Sequence, residues 1–496
     1  MTISKALIIG AAILGATSAR ADLRFRPDAF RPDTLTMPDG STVAFKAYEG
    51  IPYVTNIEDS TYQTLNIYVP DRLAPVSRVP ILLRTYVGGY AASTAKAPSP
   101  SDATGRALSE GYVVCIPGSR GNNSTITRHG HTIITGTAPR GLLDLKAAVR
   151  YLRYNDDLIP GDAGRIFTDG TSAGGAMSAL LGATADAPVY EPLLNAMGAA
   201  PAADSVYAAI CYCPITDLNH ADMEYEWLYG CTNSGVRHLD SAQIAVSQAL
   251  AAECPAYIDS LHLRKPDGTP ITADNYLDYL KTFLIASAER ALQEGCEIPD
   301  TIGIQFYSPA PSGPMGARPG GDGRLSPSFG PGRMPRFNRP TDFVSDIDLP
   351  RYLSYVAATT PLKTPPAFDQ WGVLIDTPTP ENTVFGQPDG TPANFTDFSL
   401  RRHLRDPRAT LTPDMQARVL MMNPMPFISG EQSTVAPNWY IRHGAKDRDT
   451  SFLVPINLAT KLRNHGHNVD FAIPWNRPHS GDYNLDDLFS WIARTL

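Results

Sequence analysis

The stretch from 165 to 181, RIFTDGTSAGGAMSALL, most narrows what this chain can become. A short apolar strand from Arg165 to Phe167 runs through a tight Gly-flanked turn into a helix of small residues, Gly174 to Leu181. A strand that gives way so abruptly to a helix is one half of a βαβ unit. The surroundings supply the rest. Leu65 to Pro70, Pro80 to Val87 (PILLRTYV) and Tyr112 to Ile116 (YVVCI) are β-branched or aromatic runs bounded by Pro and Gly, and Val206 to Cys211 is another run of buried type. Between them, Leu142, Leu145, Val149 and Leu152 recur at helical spacing. Strand alternating with helix predicts an α/β protein with a mostly parallel sheet and helices on both faces.

The alternation stops after Thr216. From Asp217 to Pro437 the pattern is irregular, and Gly, Pro and Arg dominate from Pro309 to Pro340, which excludes a regular element there. So long an irregular stretch inside a compact protein is usually functional, and the expectation is an inserted lid or cap domain, 217–437. The sheet pattern resumes with a strand at Trp439 to Arg442, a helix from Leu453 to Leu462, a strand at Val469 to Ile473 and a closing helix from Leu485 to Ile492. The α/β domain is thus expected in two parts, 22–216 and 438–496. At 496 residues, the chain is longer than one core usually organises, in keeping with such an insertion.

Residues 1–21 have the layout of an export signal. Lys5 gives a positive start, Ala6 to Ala16 an apolar stretch too short to span a bilayer, and Ala19-Arg20-Ala21 an A-x-A cleavage site. The expected mature chain begins near Asp22 and is periplasmic or extracellular, with no membrane attachment after cleavage. Losing Lys5 and Arg20 takes the net charge from −8 to −10, a balance that argues against nucleic acid or anionic lipid as a partner. The six cysteines (115, 211, 213, 231, 254 and 296) are an even set that permits disulfides in an exported chain without assigning them. Cys115 reads better as a small buried hydrophobe within a strand. Cys211 and Cys213 lack the spacing of a metal site, and no metal or cofactor is expected.

The turn itself carries the chemistry. Gly170-Thr171-Ser172-Ala173-Gly174 is a G-x-S-x-G between strand and helix, the setting in which a sharp turn exposes a nucleophilic serine, and Gly175 adds room for the helix to approach the strand. Serine at its free pKa attacks poorly. It needs a histidine base, and that base needs a carboxylate to fix its tautomer and stabilise its cation. In the α/β-hydrolase fold the order along the chain is Ser, then Asp or Glu, then His. Of His443, His465, His467 and His479, the last lies in a loop after the final strand and before the final helix, where this fold presents its base. Asp447 follows the strand Trp439 to Arg442 through a Gly-containing loop and is preferred as the acid, with Asp449 as its rival. The oxyanion donors expected are the N–H of Ala173, next to the nucleophile, and that of Gly88, ahead of Gly89, in the loop ending PILLRTYV.

Taken together, GTSAGGAMSALLGA around Ser172, PITDLNHADMEYEW from Pro214, PENTVFG from Pro380, KDRDTS from Lys446 and HSGDY from His479 resemble bacterial tannases. The resemblance spans most of the chain after residue 21, apart from the Pro/Gly/Arg-rich stretch. It implies an α/β-hydrolase fold with a large inserted lid, cleavage of galloyl esters by a triad of Ser172, Asp447 and His479, and contacts to the galloyl hydroxyls from Asp449, Glu381 and Lys363. Three adjacent phenolic hydroxyls are donors that carboxylates accept, and a lysine stabilises a developing phenolate. The expected partners are small galloyl or related phenolic esters. A feruloyl esterase or other carboxylesterase of the same fold, a prolyl-type peptidase, and a catalytically dead binding protein remain as competing readings. An intact Ser172, Asp447 and His479 argues against the last.

Overall fold

The computed structural model describes residues 22–74, 77–233, 235–307, 343–370 and 378–496. The expected export signal and the stretch 309–340 lie outside them. Nine strands form one sheet: β1 (Arg31–Thr36), β2 (Thr42–Pro52), β3 (Thr64–Pro70), β4 (Ile81–Arg84), β5 (Val113–Pro117), β8 (Ile166–Thr171), β9 (Ala208–Tyr212), β12 (Asn438–Arg442) and β13 (Asn468–Ala472). Two two-stranded antiparallel sheets stand apart, β6 (Thr125–Arg128) with β7 (His131–Ile134) and β10 (Ile304–Tyr307) with β11 (Phe343–Ile347). The sheet order is β1-β2-β3-β5-β4-β8-β9-β12-β13. Pairing is antiparallel from β1 to β5 in that order and parallel from β5 to β13.

Helices cover both faces, as the strand alternation requires. Along β4, Ile81 and Leu83 point to one side and Leu82 to the other, so each strand feeds two cores. On one face lie α2 (Arg140–Tyr154), α3 (Ala173–Ala183) and α12 (Leu453–Asn464). The opposite face is closed by α1 (Ala103–Glu110) and α13 (Leu485–Thr495), whose Leu488, Phe489, Trp491 and Ile492 pack on Phe167, Ile210 and Tyr440. The short α4 (Glu191–Met197) follows α3.

The chain between β9 and β12 holds α5 (Leu218–Tyr229), α6 (Ser241–Ser260), α7 (Ala273–Gln293), α8 (Leu349–Thr359), α9 (Pro380–Val384), α10 (Asp397–Leu404) and α11 (Pro413–Met421), and among the described residues it adds no strand to the main sheet. Its apolar side chains do not form a separate core. Tyr225, Tyr276, Val356 and Phe368 are continuous with the cluster containing Leu180, Trp439 and Leu458.

Three expectations need correction. PILLRTYV pairs only over Ile81–Arg84, because after Thr85 the chain leaves the sheet towards the turn at Ser172. The strands β1 and β2 were not expected: RPDTLT is polar, carries proline and sits half-exposed at the sheet edge, and the register of β2 is broken between Tyr48 and Ile51 near Gly50. The anticipated disulfides are replaced by six free thiols, of which Cys115, Cys211, Cys213 and Cys254 are buried as packing residues. No described helix is long and apolar enough to cross a membrane.

Candidate active site

Ser172 occupies the junction of β8 and α3 with φ 62° and ψ −125°. A side chain other than glycine at positive φ costs on the order of 1–3 kcal/mol and persists only where the surroundings enforce it. They do so here. The Ser172 N–H donates to the Tyr212 carbonyl at 2.9 Å, and its carbonyl accepts from Ala176 N at 2.9 Å. A Cβ on Gly170 would overlap the Gly174 carbonyl, one on Gly174 would come 2.8 Å from the Val87 carbonyl, and one on Gly175 would lie 2.5 Å from the Tyr212 carbonyl. The glycines of the motif are thus required by three close backbone approaches. One of these brings the loop after β4, which carries Gly88, against the serine turn. Ala173 is the first residue of α3, so its N–H has no carbonyl partner within the helix. Gly88 lies exposed at the end of the β4 loop.

The residues expected as acid and base lie in loops at the same edge of the sheet. Asp447 is completely buried after β12, and its Oδ2 accepts from His479 Nδ1 at 2.8 Å while its Oδ1 accepts from Asp449 N at 2.9 Å. Burial alone raises the Asp447 pKa, but His443 and His479 outweigh it and hold the carboxyl well below the usual range. With Nδ1 committed to Asp447, Nε2 of His479 is left as the basic nitrogen. Burial lowers the His479 pKa, while the bond and charge of Asp447, with Asp449 adding to them, carry it above the ordinary histidine value. His443, which sequence reasoning left aside as a base, is fully buried against Phe452 with its Nδ1 3.6 Å from Asp447 Oδ2, and burial holds its pKa down.

The histidine loop is tied to the side of the sheet bearing Ser172 twice. A Cβ on Gly481 would overlap Thr171 Oγ1, one residue before Ser172. Asp482 receives both guanidinium nitrogens of Arg84, at 3.0 and 2.6 Å, and Arg84 also bonds Asp169 at 2.5 Å. Arg84 and Asp169 are buried on neighbouring strands, so this charge triad fixes the His479 loop to the middle of the sheet. Sequence reasoning missed it; an arginine and an aspartate on opposite partners of two apolar strands were its only trace.

Lys363, Glu381 and Asp449 converge on the same place. Asp449 accepts from Arg448 at 2.5 Å, and its Oδ2 lies 3.6 Å from His479 Nδ1. Glu381 lies in the first turn of α9, is 5% exposed, and has its pKa raised by burial, opposed by the nearby Lys363 and assisted by Asp449. Asn122 holds α9 to the β4 loop by donating to both the Gly89 and Pro380 carbonyls, at 3.0 and 3.2 Å. The Lys363 ammonium stands 4.1 Å from the Phe368 ring centroid, and its charge is felt by both Glu381 and His479.

Among the described residues, Cys213, Asp447 and His479 are the ones whose donor atoms, within 4.8 Å of one another, could hold an ion. The Cys213 thiol donates to the Ser480 carbonyl at 3.2 Å, and burial pushes its pKa far up, so it stays a thiol rather than a thiolate ligand.

The sequence profile of the BD-FAE family matches residues 65–260. Esterase LipC of Mycobacterium tuberculosis is 47% identical over 53 residues, a match spanning 11% of this chain and 13% of that protein. The structure of the tannin acyl hydrolase from Lactobacillus plantarum superposes with a TM-score of 0.80 at 35% identity, covering 95% of this chain and 98% of the other. Fusobacterium nucleatum tannase gives 0.80 at 32% identity over 96% and 99%. A tannin acyl hydrolase in complex with ethyl gallate also matches, with a TM-score of 0.79 at 35% identity over 95% and 98%. With identity of this order over nearly the full length of both chains, the protein is a carboxylic-ester hydrolase and belongs to the tannase family of α/β-hydrolases.

Proposed function

We propose that the protein hydrolyses galloyl esters through an acyl-enzyme on Ser172. The observation that carries the reading is the 2.8 Å contact of His479 with the buried Asp447, reached across a loop that abuts the serine turn. Ser172 Oγ attacks the ester carbonyl while His479 Nε2 takes its proton, and the oxyanion is met by the N–H groups of Ala173 and Gly88. Collapse expels the alcohol, protonated by His479. Water activated by the same nitrogen then releases the acid. Asp447 stays ionised throughout, in keeping with its depressed pKa.

The galloyl ring is the acyl group that the remaining side chains suit. Asp449 and Glu381 accept from phenolic hydroxyls, and Lys363 offsets the charge of a hydroxyl that loses its proton. Support comes from the relative that binds ethyl gallate. A small phenolic ligand is the common term with a second tannin acyl hydrolase structure, in complex with 3,4-dihydroxybenzoate. The segment 217–437, which supplies Lys363 and Glu381, acts as the lid over the acyl group. Export follows from Lys5, the apolar stretch after it and Ala19-Arg20-Ala21, and N-terminal sequencing of the secreted product should begin near Asp22.

Turnover of methyl gallate, methyl ferulate and 4-nitrophenyl acetate by the purified chain tests the substrate class. Methyl gallate is expected to have the higher kcat/KM of the two methyl esters, and a preference for ferulate would overturn the galloyl reading. Ser172→Ala should leave no more than the residual rate of about 10³–10⁴ over water that binding and an oxyanion hole provide alone.

A further inference from the structure

Helix α5 turns its polar side chains inward. Asp222, Tyr225, Glu226 and Tyr229, spaced i, i+3, i+4 and i+7 and therefore on one face, are all buried. Each holds a loop of the site. Asp222 accepts from the backbone N–H groups of Phe368 and Asp369 at 2.8 and 3.0 Å, which seats the ring beneath the Lys363 ammonium. Glu226 binds both terminal nitrogens of Arg237, at 2.6 and 2.8 Å, and the same guanidinium donates to the Lys363 carbonyl. Tyr229 donates to the Asp447 carbonyl at 3.2 Å. The Tyr225 hydroxyl does two things at once: it accepts from Lys363 N at 3.1 Å and donates to the Arg448 carbonyl at 2.8 Å.

A fully buried ion pair such as Glu226 and Arg237 contributes little net stability compared with apolar side chains of the same size, so its retention calls for a reason of geometry. Here both backbone polar groups of Lys363 are fixed by side chains that α5 carries or anchors. The peptide between the two aspartates Asp447 and Asp449 is fixed by the same hydroxyl. One oxygen atom thus links the loop bearing the lysine to the loop bearing the carboxylates.

We infer that Tyr225 is a positioning residue that sets the spacing of Lys363 from Asp449, and through that spacing determines selectivity for acyl groups bearing ring hydroxyls. The inference rests on the reading of Lys363 and Asp449 as ring contacts. It assigns Tyr225 no contact with substrate.

Tyr225→Phe removes both hydrogen bonds and keeps the ring against Tyr229 and Phe368. Its kcat and KM for methyl gallate and 4-nitrophenyl acetate would be compared with those of the wild type, Lys363→Ala and the double variant. The gallate-to-acetate ratio of kcat/KM is expected to fall about tenfold in Tyr225→Phe, for two lost hydrogen bonds, mainly through the KM for gallate. In the Lys363→Ala background the same change should alter the ratio by less than about twofold, since residues acting through one another are not additive. A purely structural role for Tyr225 would lower both substrates in parallel together with the melting temperature, and that outcome overturns the inference. So does a full tenfold effect persisting without Lys363. A wild-type ratio in Lys363→Ala alone would refute the recognition role of the lysine itself, and is seen without reference to Tyr225.

Discussion

Asp447 and Asp449 stand two residues apart and both face His479, one at 2.8 Å and fully buried, the other at 3.6 Å and partly open. Under the proposed mechanism that difference gives them different work. Asp447→Asn should depress kcat for every ester, by about 10⁴ where the same change has been made in another serine hydrolase. Asp449→Asn should instead penalise gallate esters over nitrophenyl esters, because a charged acceptor for a phenol is worth roughly 1.5–3 kcal/mol. Steady-state kinetics on both substrates separates the two, and equal losses in Asp449→Asn would reject its recognition role. The pH profile supplies a second reading. As the proposed base His479 must be neutral, so activity is expected to fall as pH drops through its pKa, which lies above the ordinary value of about 6.5. Since the charge of Asp449 helps hold it there, the acid limb of kcat/KM for a nitrophenyl ester should move to lower pH in Asp449→Asn. Ser172 and His479 could be proposed from the chain because a nucleophile turn and a loop between last strand and last helix leave local signatures. Lys363 and Glu381 could not, for a solvated pair in an irregular segment reads the same until the chain folds and burial changes their surroundings.

The elements show the same division. β3, β5, α2, α12 and α13 lie within a few residues of where periodicity puts them, because each buries one or both faces in a core and its sequence must match the spacing. The acidic stripe of α5 leaves no such local trace: its carboxylates are buried and taken up by the nearby Arg237 and, from far along the chain, by backbone N–H groups at Phe368 and Asp369 and by Asn457. The last residue of β4, Arg84, is paired in register with the buried Asp169. Arg84→Met should lower unfolding free energy by about 3–5 kcal/mol, the cost of leaving one buried charge unpaired. It should also reduce kcat, since Asp482 and the His479 loop lose their anchor. Urea denaturation and turnover of 4-nitrophenyl acetate check both, and a stable, fully active variant would remove the triad from the account.

At the scale of the molecule, the two faces of the sheet are closed by very different amounts of chain. One face relies on α1 and on α13, the last helix. Ending the chain after Asn484 removes Leu488, Phe489, Trp491 and Ile492, whose burial is worth about 6–12 kcal/mol at 1.5–3 kcal/mol each, and uncovers Phe167, Ile210 and Tyr440 beneath them. That is as large as the whole stability of a typical protein, about 5–15 kcal/mol. The truncated chain should therefore be insoluble or lack a cooperative melt by circular dichroism, and a soluble, cooperatively melting product would show that the other face suffices. The parallel partners β9 and β12 pair from Ala208 to Asn438 onwards, with the segment 213–437 between them. A ribosome adds about 5–20 residues per second, so β9 is complete roughly ten to forty-five seconds before β12 exists. During that interval its sequence, AAICY, is an uncharged apolar edge with no neighbour on one side. In that interval the β8 turn bearing Ser172 has been synthesised, while the segments bearing Asp447 and His479 have not. Expression at slower growth or with added chaperone capacity acts on that waiting period, at a stage when the stability of the finished enzyme has no bearing.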